Sequence, residues 1–466
     1  MNYEDFVASK LTRVPATGLA VVPPMHPSLF PFQADLVAWA LRRGRAALFA
    51  DTGLGKTAMS LAWAQHVPGD VIILAPLAVA AQTAREGVRM GIPVTICRDG
   101  ADVRPGINVT NYERLHRFDV SRFAGVILDE SSIIKHKEAK TLRLLLDAFA
   151  DTPFRLCATA TPSPNDYTEL GTHAEFLGVC SGTEMLAEFF CHDGGETQTW
   201  RLKGHARGAF WKWVAGWAAM LRKPSDLGYT NEGYDLPTLT IEQHTQAADA
   251  ETVKAAGLLF AAEASTLTER RVARKASIGA RVRECVSLVN ADAERWIVWC
   301  DLNAEQDALA KEFGDECFSI YGSLDLEEKE DRLTRFIGGE RRILLGKPSI
   351  FGFGLNLQMV ARMAFVGVTD SYEAFYQAVR RSWRFGQERS VIVHVFASEV
   401  EGAVLRNLQR KERDATAMAE QLSAETRDAV REEVRGQPRQ TNDYTPGLRM
   451  TLPAWLTSET EDRRTA

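Results

Sequence analysis

The chain has 466 residues, with 45% hydrophobic and 25% charged positions, the balance of an ordinary globular protein large enough for two or three domains. No run is apolar enough to span a membrane. The formal net charge of −6 excludes attraction of nucleic acid by the chain as a whole, so such a partner must be met by local basic surface.

In chain order, residues 1–27 form an N-terminal extension that lacks the cationic start and apolar core of a signal peptide. Short aliphatic runs then recur at 46–49, 71–74, 94–97, 107–109, 126–128 and 155–158, separated by helical patterns. Continuous apolar runs alternating with helices predict a parallel sheet covered on both faces, a first α/β lobe over 28–170. The first run leads into Ala50-Asp51-Thr52-Gly53-Leu54-Gly55-Lys56-Thr57 and then a helix. Strand, glycine loop and helix N-terminus together make a phosphate cradle. Lys56 would reach the outer phosphates and the Thr57 hydroxyl would ligate Mg²⁺. Ala50 stands where the pattern usually begins with glycine.

The run 126–128 ends in Asp129-Glu130-Ser131-Ser132, at the end of a strand where such sheets bind ligands. Asp129 would hold Mg²⁺ opposite Thr57, and Glu130 would orient and deprotonate an attacking water. The next run ends in Thr159-Ala160-Thr161-Pro162, whose hydroxyls can report the state of a neighbouring phosphate site.

From 171 the pattern changes. Residues 171–240 read as a mainly helical insertion, with Trp200, Trp211, Trp213 and Trp217 among Arg201, Lys203, His205, Arg207, Lys212, Arg222 and Lys223. These tryptophans either form the core of a small helical subdomain or stack on bases beside the cations. Residues 241–290 read as a linker and a basic helix carrying Arg270, Arg271, Arg274, Lys275, Arg281 and Arg283. The seven cysteines (Cys97, Cys157, Cys180, Cys191, Cys285, Cys300, Cys317) lack paired CxxC spacing, which points to a reducing cytoplasm. Cys180, Cys191, His192 and His205 match no zinc finger or ribbon.

A second series of runs at 296–299, 317–321, 343–345, 363–368 and 391–396 predicts a second doubly wound lobe over 291–400. Gly352-Phe353-Gly354-Leu355-Asn356-Leu357-Gln358 is a glycine-rich loop fit for backbone contacts to phosphate or nucleic acid. In Gln377-Ala378-Val379-Arg380-Arg381-Ser382-Trp383-Arg384-Phe385-Gly386-Gln387, helical offsets would place Gln377, Arg381 and Arg384 on one face. Both arginines could then cross a cleft as arginine fingers. Residues 401–466 read as a charged helix and a polar tail.

Taken in order, these segments resemble the motifs of superfamily 2 helicases and translocases, most of all the Swi/Snf-type branch and its compact bacteriophage members. Phe32-Gln33 resembles the glutamine motif that reads adenine, and residues 50–57 resemble motif I. Leu74-Ala75-Pro76-Leu77 is similar to motif Ia, Asn111-Tyr112-Glu113 to motif Ib, and Asp129 to Ser132 to motif II of the DEAD/DEAH-box type. Thr159 to Pro162 resembles motif III, Gly352 to Gln358 motif V, and Gln377 to Gln387 motif VI. Ser131-Ser132 departs from the usual Ala-His or Ala-Asp, which leaves the usual histidine coupling without its residue.

The resemblance implies two RecA-like lobes that clamp ATP and Mg²⁺. Gln33, residues 51–57 and Gly354 would bind the nucleotide. Lys56, Asp129, Glu130, Gln377, Arg381 and Arg384 would carry the chemistry. It also implies a monomeric translocase on double-stranded DNA, acting in the cytoplasm (of a bacterial host, for a phage-encoded chain), with Pro76, Tyr112, Lys135, Arg201, Lys203, Arg207 and Asn356 along the track. Single-stranded DNA or RNA is the less favoured partner. A strand-separating helicase and an ATP-gated clamp with little turnover are the competing readings.

Overall fold

Alternation within the strands sets the architecture. In β1 (Arg45–Ala50), Ala46, Leu48 and Ala50 enter one core while Ala47 and Phe49 enter another. In β2 (Val71–Ala75), Val71, Ile73 and Ala75 share the first core, and Ile72 and Leu74 the second. A strand apolar on both faces must be covered on both, as parallel sheets are. The computed structural model describes residues 17–76, 79–134, 140–163, 166–193, 196–232, 234–246, 275, 277–351, 357–367 and 372–398, with scattered helical positions between 410 and 434.

The first sheet has seven strands in the order β3-β4-β2-β5-β6-β1-β9, all pairs parallel. Besides β1 and β2 these are β3 (Val94–Ile96), β4 (Ile107–Asn111), β5 (Gly125–Asp129), β6 (Phe154–Thr159) and β9 (Ala218–Leu221). Helices α1 (Pro31–Arg43), α2 (Lys56–His66) and α3 (Ala80–Met90) cover one face with Leu36, Trp39, Leu61 and Trp63. The other face carries α4 (Lys140–Ala148), α5 (Leu170–Phe176), α6 (Gly182–Phe189) and α7 (Arg207–Ala215).

The second sheet runs β10-β15-β14-β11-β13-β12, again all parallel. Its strands are β10 (Leu239–Gln246), β11 (Trp296–Cys300), β12 (Cys317–Ile320), β13 (Ile343–Gly346), β14 (Arg362–Val366) and β15 (Val391–Ser398). Helices α8 (Ile278–Asn290) and α9 (Asn303–Phe313) cover one face; α10 (Leu326–Ile337) and α11 (Tyr372–Val379) cover the other. The chain therefore folds as two RecA-like α/β lobes in tandem, as the sequence leads one to expect.

The structure adds detail to the sequence reading and decides between its alternatives. The 171–240 insertion is mainly helical, and it also adds an antiparallel hairpin, β7 (Phe190–Asp193) with β8 (Glu196–Leu202), and sends β9 back into the first sheet beside β1. Residues 239–246, expected as the boundary of a linker, are β10, the edge strand of the second sheet. Trp211 and Trp217 lie in the core of the first lobe, so packing and not base stacking accounts for them. Arg270, Arg271 and Arg274 lie outside the described residues, whereas Arg281 is fully buried.

That arginine meets Glu305 at 2.7 Å, with neither side chain exposed. The other Glu305 oxygen accepts the backbone N–H groups of Asp301 and Leu302, which open α9. Removing the carboxylate leaves a buried guanidinium uncompensated, a loss of about 3–5 kcal/mol. Glu305→Ala should lower the urea midpoint of the second lobe accordingly, read by the fluorescence of buried Trp296 and Trp299; an unchanged midpoint contradicts this account.

Candidate active site where the lobes meet

The loop after β1 owes its shape to two glycines in left-handed conformations, Gly53 at φ 94° and Gly55 at φ 81°. Gly53 is doubly constrained, because a Cβ there would lie 3.0 Å from the backbone nitrogen of Phe385 on the second lobe. Gly55 caps α2, whose first residues are Lys56 and Thr57, so the loop's N–H groups and the positive end of the helix share one place. The Lys56 ammonium donates to the Ala50 carbonyl at 2.9 Å. Burial lowers its pKa, while Glu130, Asp51 and Asp129 hold the charge in place.

The acidic pair ends β5, separated from β1 by β6. Asp129 is buried, and its carboxyl is pushed up to about 7 by that burial and by the Glu130 charge, with Lys56 opposing. Glu130 has φ 51° and is the one non-glycine residue with positive φ among the described residues. A carboxylate residue in that region carries backbone strain, which surrounding structure must hold. Thr159, at the end of β6, offers its hydroxyl to Glu130 at 3.4 Å and accepts the Thr161 N–H at 3.2 Å. Motif III therefore touches the acidic pair directly. The hydroxyl of Thr57 and the carboxylate of Asp129 are the hard oxygen donors that suit Mg²⁺.

The second lobe reaches this site through the turn after α11. The helix ends at Val379, so Arg381 and Arg384 do not lie on a helix face as the offsets imply. Tight turn bonds, Arg381 N to Ala378 O and Ser382 N to Val379 O, replace the helix there. Gln387 fixes the turn by donating to the carbonyls of Gln358 and Val360. Arg381 is buried, donates to the Gln377 side-chain oxygen at 3.1 Å, and has its pKa lowered to about 10 by burial despite the nearby Glu130. Arg384 lies close enough to Lys56 to depress it. Lys56, Asp129, Glu130, Gln377, Arg381 and Arg384 thus converge.

Two functional contacts escape the sequence reading. Asp51 accepts the Tyr376 hydroxyl at 2.8 Å and the Arg380 guanidinium at 2.9 Å, a polar clamp from one lobe to the other. The second is His173, whose Nε2 lies 3.1 Å from the Ser131 hydroxyl. A histidine does meet the motif II turn, but from α5, forty-two residues downstream. Neither contact has a local sequence signal beyond the place of Arg380 beside Arg381.

The other candidate positions are placed as follows. Gln33 is buried, accepts the Phe30 N–H at 2.9 Å and donates to the Leu54 carbonyl at 2.8 Å, so it braces the glycine loop. Tyr112 is buried with its hydroxyl on the Asp129 carbonyl at 2.8 Å, a support for motif II and not a surface for nucleic acid. The Lys203 ammonium binds the carbonyls of Ala187 and Glu188 near the end of α6, a C-terminal cap. Arg222 pairs with Glu420 at 2.9 Å. Arg201 and Arg207 are exposed, and Pro76 is half-buried beyond β2. Lys135, Gly354 and Asn356 lie outside the described residues. A cavity of 590 Å³ opens beside the loop, with Asp51, Thr52, Tyr234, Arg380, Trp383 and Phe385 in its wall.

Residues 280–386, within the second lobe, match the helicase conserved C-terminal domain. No curated protein sequence matches the chain. Among solved structures, the chain is similar to the Sulfolobus solfataricus SWI2/SNF2 ATPase core in complex with dsDNA, at 18% identity and a TM-score of 0.40, over 89% of this chain and 99% of that one. No described helix is long and apolar enough to cross a membrane.

Burial drives the His173 pKa down to about 4, so the imidazole is neutral when folded. The unfolded histidine takes up its proton near 6.5, so this group favours the folded state above pH 6.5 and that advantage is lost as pH falls toward 4. The change amounts to about 3 kcal/mol. His173→Gln should flatten the stability profile between those limits in urea titrations; parallel profiles for the two proteins would overturn the assignment.

Proposed function

We propose that the protein is an ATP-driven translocase of the compact Swi/Snf type that moves along double-stranded DNA. The observation that carries this reading is the convergence of Glu130 on the first lobe with Arg381 on the second. A carboxylate and a guanidinium on opposite lobes, beside a glycine loop with a buried lysine, are the parts that phosphoryl transfer to water requires. The duplex track rests on the resemblance of motifs V and VI to the Swi/Snf branch, with Pro76, Arg201 and Arg207 as its contacts on the described residues.

In this mechanism residues 51–57 hold the phosphates, with the sugar and base directed toward the neighbouring cavity. Mg²⁺ held by Thr57 and Asp129 would neutralise phosphate charge. Glu130 accepts the proton of the attacking water as its oxygen bonds to the γ-phosphorus and the bond to the bridging oxygen breaks. Lys56, Arg381 and Arg384 stabilise the charge spread over the transferred group. Because Arg381 and Arg384 belong to the second lobe, ATP binds the closed pair better than the open pair. Hydrolysis removes that preference, and the lobes part. A grip on DNA by both lobes turns each cycle into a step.

The test compares ATPase turnover with duplex DNA, single-stranded DNA and RNA at fixed salt, followed by triplex displacement. Stimulation by duplex with displacement supports the translocase; stimulation by single strands with strand separation favours the helicase; negligible turnover with every nucleic acid points to a clamp. Glu130→Gln should retain ATP binding and lose about 10²–10⁴-fold in turnover. Wild-type turnover by that variant removes Glu130 from the base role. Arg381→Ala should bind ATP yet lose about 10³–10⁵-fold in kcat. A rise in KM with kcat intact contradicts the finger assignment.

A further inference from the structure

Strand register brings three metal-binding side chains together on the second lobe, away from the lobe junction. Glu242 on β10 is the direct partner of His394 on β15, so their side chains leave the sheet on one face. His244 lies two residues beyond Glu242 and shares that face. The His244 Nε2 and the His394 Nδ1 are 3.0 Å apart, and the same His394 nitrogen is 3.3 Å from a Glu242 oxygen. All three ligand atoms lie within 4.8 Å of one another.

We propose that Glu242, His244 and His394 form a binding site for a divalent transition-metal ion of the zinc class. Two imidazoles about 2.0–2.1 Å from a tetrahedral zinc hold their nitrogens roughly 3.3 Å apart, so the observed spacing needs to open only slightly. Two nitrogens and one carboxylate oxygen suit zinc, nickel or copper better than magnesium, which separates this site from the oxygen donors Thr57 and Asp129.

The surroundings have the features of a metal centre. The second ring nitrogen of His244, Nδ1, faces Glu284 of α8 at 3.5 Å. A carboxylate on the far nitrogen of a ligating histidine fixes its orientation and raises its basicity. The His244 ring stacks on Phe396 with centroids 4.5 Å apart, and the His394 ring lies 5.5 Å from the Trp296 ring, so neither imidazole is loosely held. The Glu242 side chain is 49% exposed, which gives an ion a path from solvent and leaves a fourth position for water. An ion here ties the edge strand β10 to β15, and Glu284 extends the tie to α8. It acts as a staple at the point where the chain enters the second lobe.

The full-length protein, stripped of metal, is titrated with Co²⁺ and then Zn²⁺. The expected result is one equivalent of Co²⁺ giving the visible ligand-field band of a four-coordinate nitrogen–oxygen site, displaced by Zn²⁺, with a Zn²⁺-dependent rise in the thermal unfolding midpoint. His244→Gln, at a half-buried position, and His394→Ala should each abolish the band. Glu284→Gln should keep it and weaken binding about 10–100-fold. Asp129→Asn should leave it intact, since the cleft carboxylates are not its ligands. The proposal fails if the wild-type protein gives no band and no Zn²⁺-dependent shift, if uptake survives His244→Gln, or if Asp129→Asn abolishes it.

Discussion

The clamp on Asp51 is the contact on which the geometry of the cleft depends. Its carboxylate takes the Thr52 N–H from its own loop, and Tyr376 and Arg380 from the other lobe. Arg380 also lies over the rings of Tyr376 and Trp383, at 5.1 and 4.6 Å. Largely removed from water, this pair is worth more than a surface ion pair and costs more to break, because either charge left behind is poorly solvated. The next residue is Arg381. Anchoring position 380 on the phosphate loop therefore sets where position 381 falls relative to Glu130. One short turn, locked by Gln387 and Gly386, carries both the anchor and the charge that completes the site.

Burial moves the cleft groups toward neutrality. It lowers Lys56 and Arg381 and raises Asp129, each partly resisted by a neighbour of opposite charge. Such a site is electrostatically costly when it contains only its own side chains. A polyphosphate with a divalent cation adds partners for both signs and so stabilises the apposed lobes over separated ones. The left-handed backbone at Glu130 belongs to the same economy of strain: Thr159, Tyr112 and the Ser131–His173 contact hold the turn from three directions. Held in this way, the Glu130 carboxylate need not search for its position.

Strands with continuous apolar runs were legible in the sequence, since both of their faces are buried. Of the strands the sequence reading missed, β9 and β10 lack that signature for different reasons. β9 is Ala-Ala-Met-Leu, without β-branched residues, and its sheet membership comes from pairing with β1. β10 carries Glu242, Gln243, His244 and Thr245 in succession, as an edge strand can, and this polar run conceals its place in a sheet. The candidate site residues were legible because they are local strings on loops. Their mutual contacts were not: Gln33 to Leu54, Tyr112 to Asp129 and Ser131 to His173 join segments 17 to 42 residues apart. Helical offsets placed Arg381 and Arg384 on one helix face, whereas tertiary bonds from 357–360 end that helix at Val379.

The connection between the lobes is bound at both of its ends. Tyr229 donates to Asp35 of α1, and Tyr234 packs on Phe32 and on Phe385. Trp383, two residues past Arg381, donates to the Pro237 carbonyl at 2.7 Å. On the first lobe, the C-terminal segment returns: Arg431 donates to the carbonyls of Ser225 and Asp226, while Val430 and Val434 enter the core beside α1 and α2. A rotation of the second lobe therefore cannot proceed about a free tether. It must pull on Tyr234, Pro237 and the returning segment, which share neighbours with the phosphate loop. The connection thus meets the loop through a shared neighbour, since Tyr234 packs on Phe385 and Phe385 lies against Gly53.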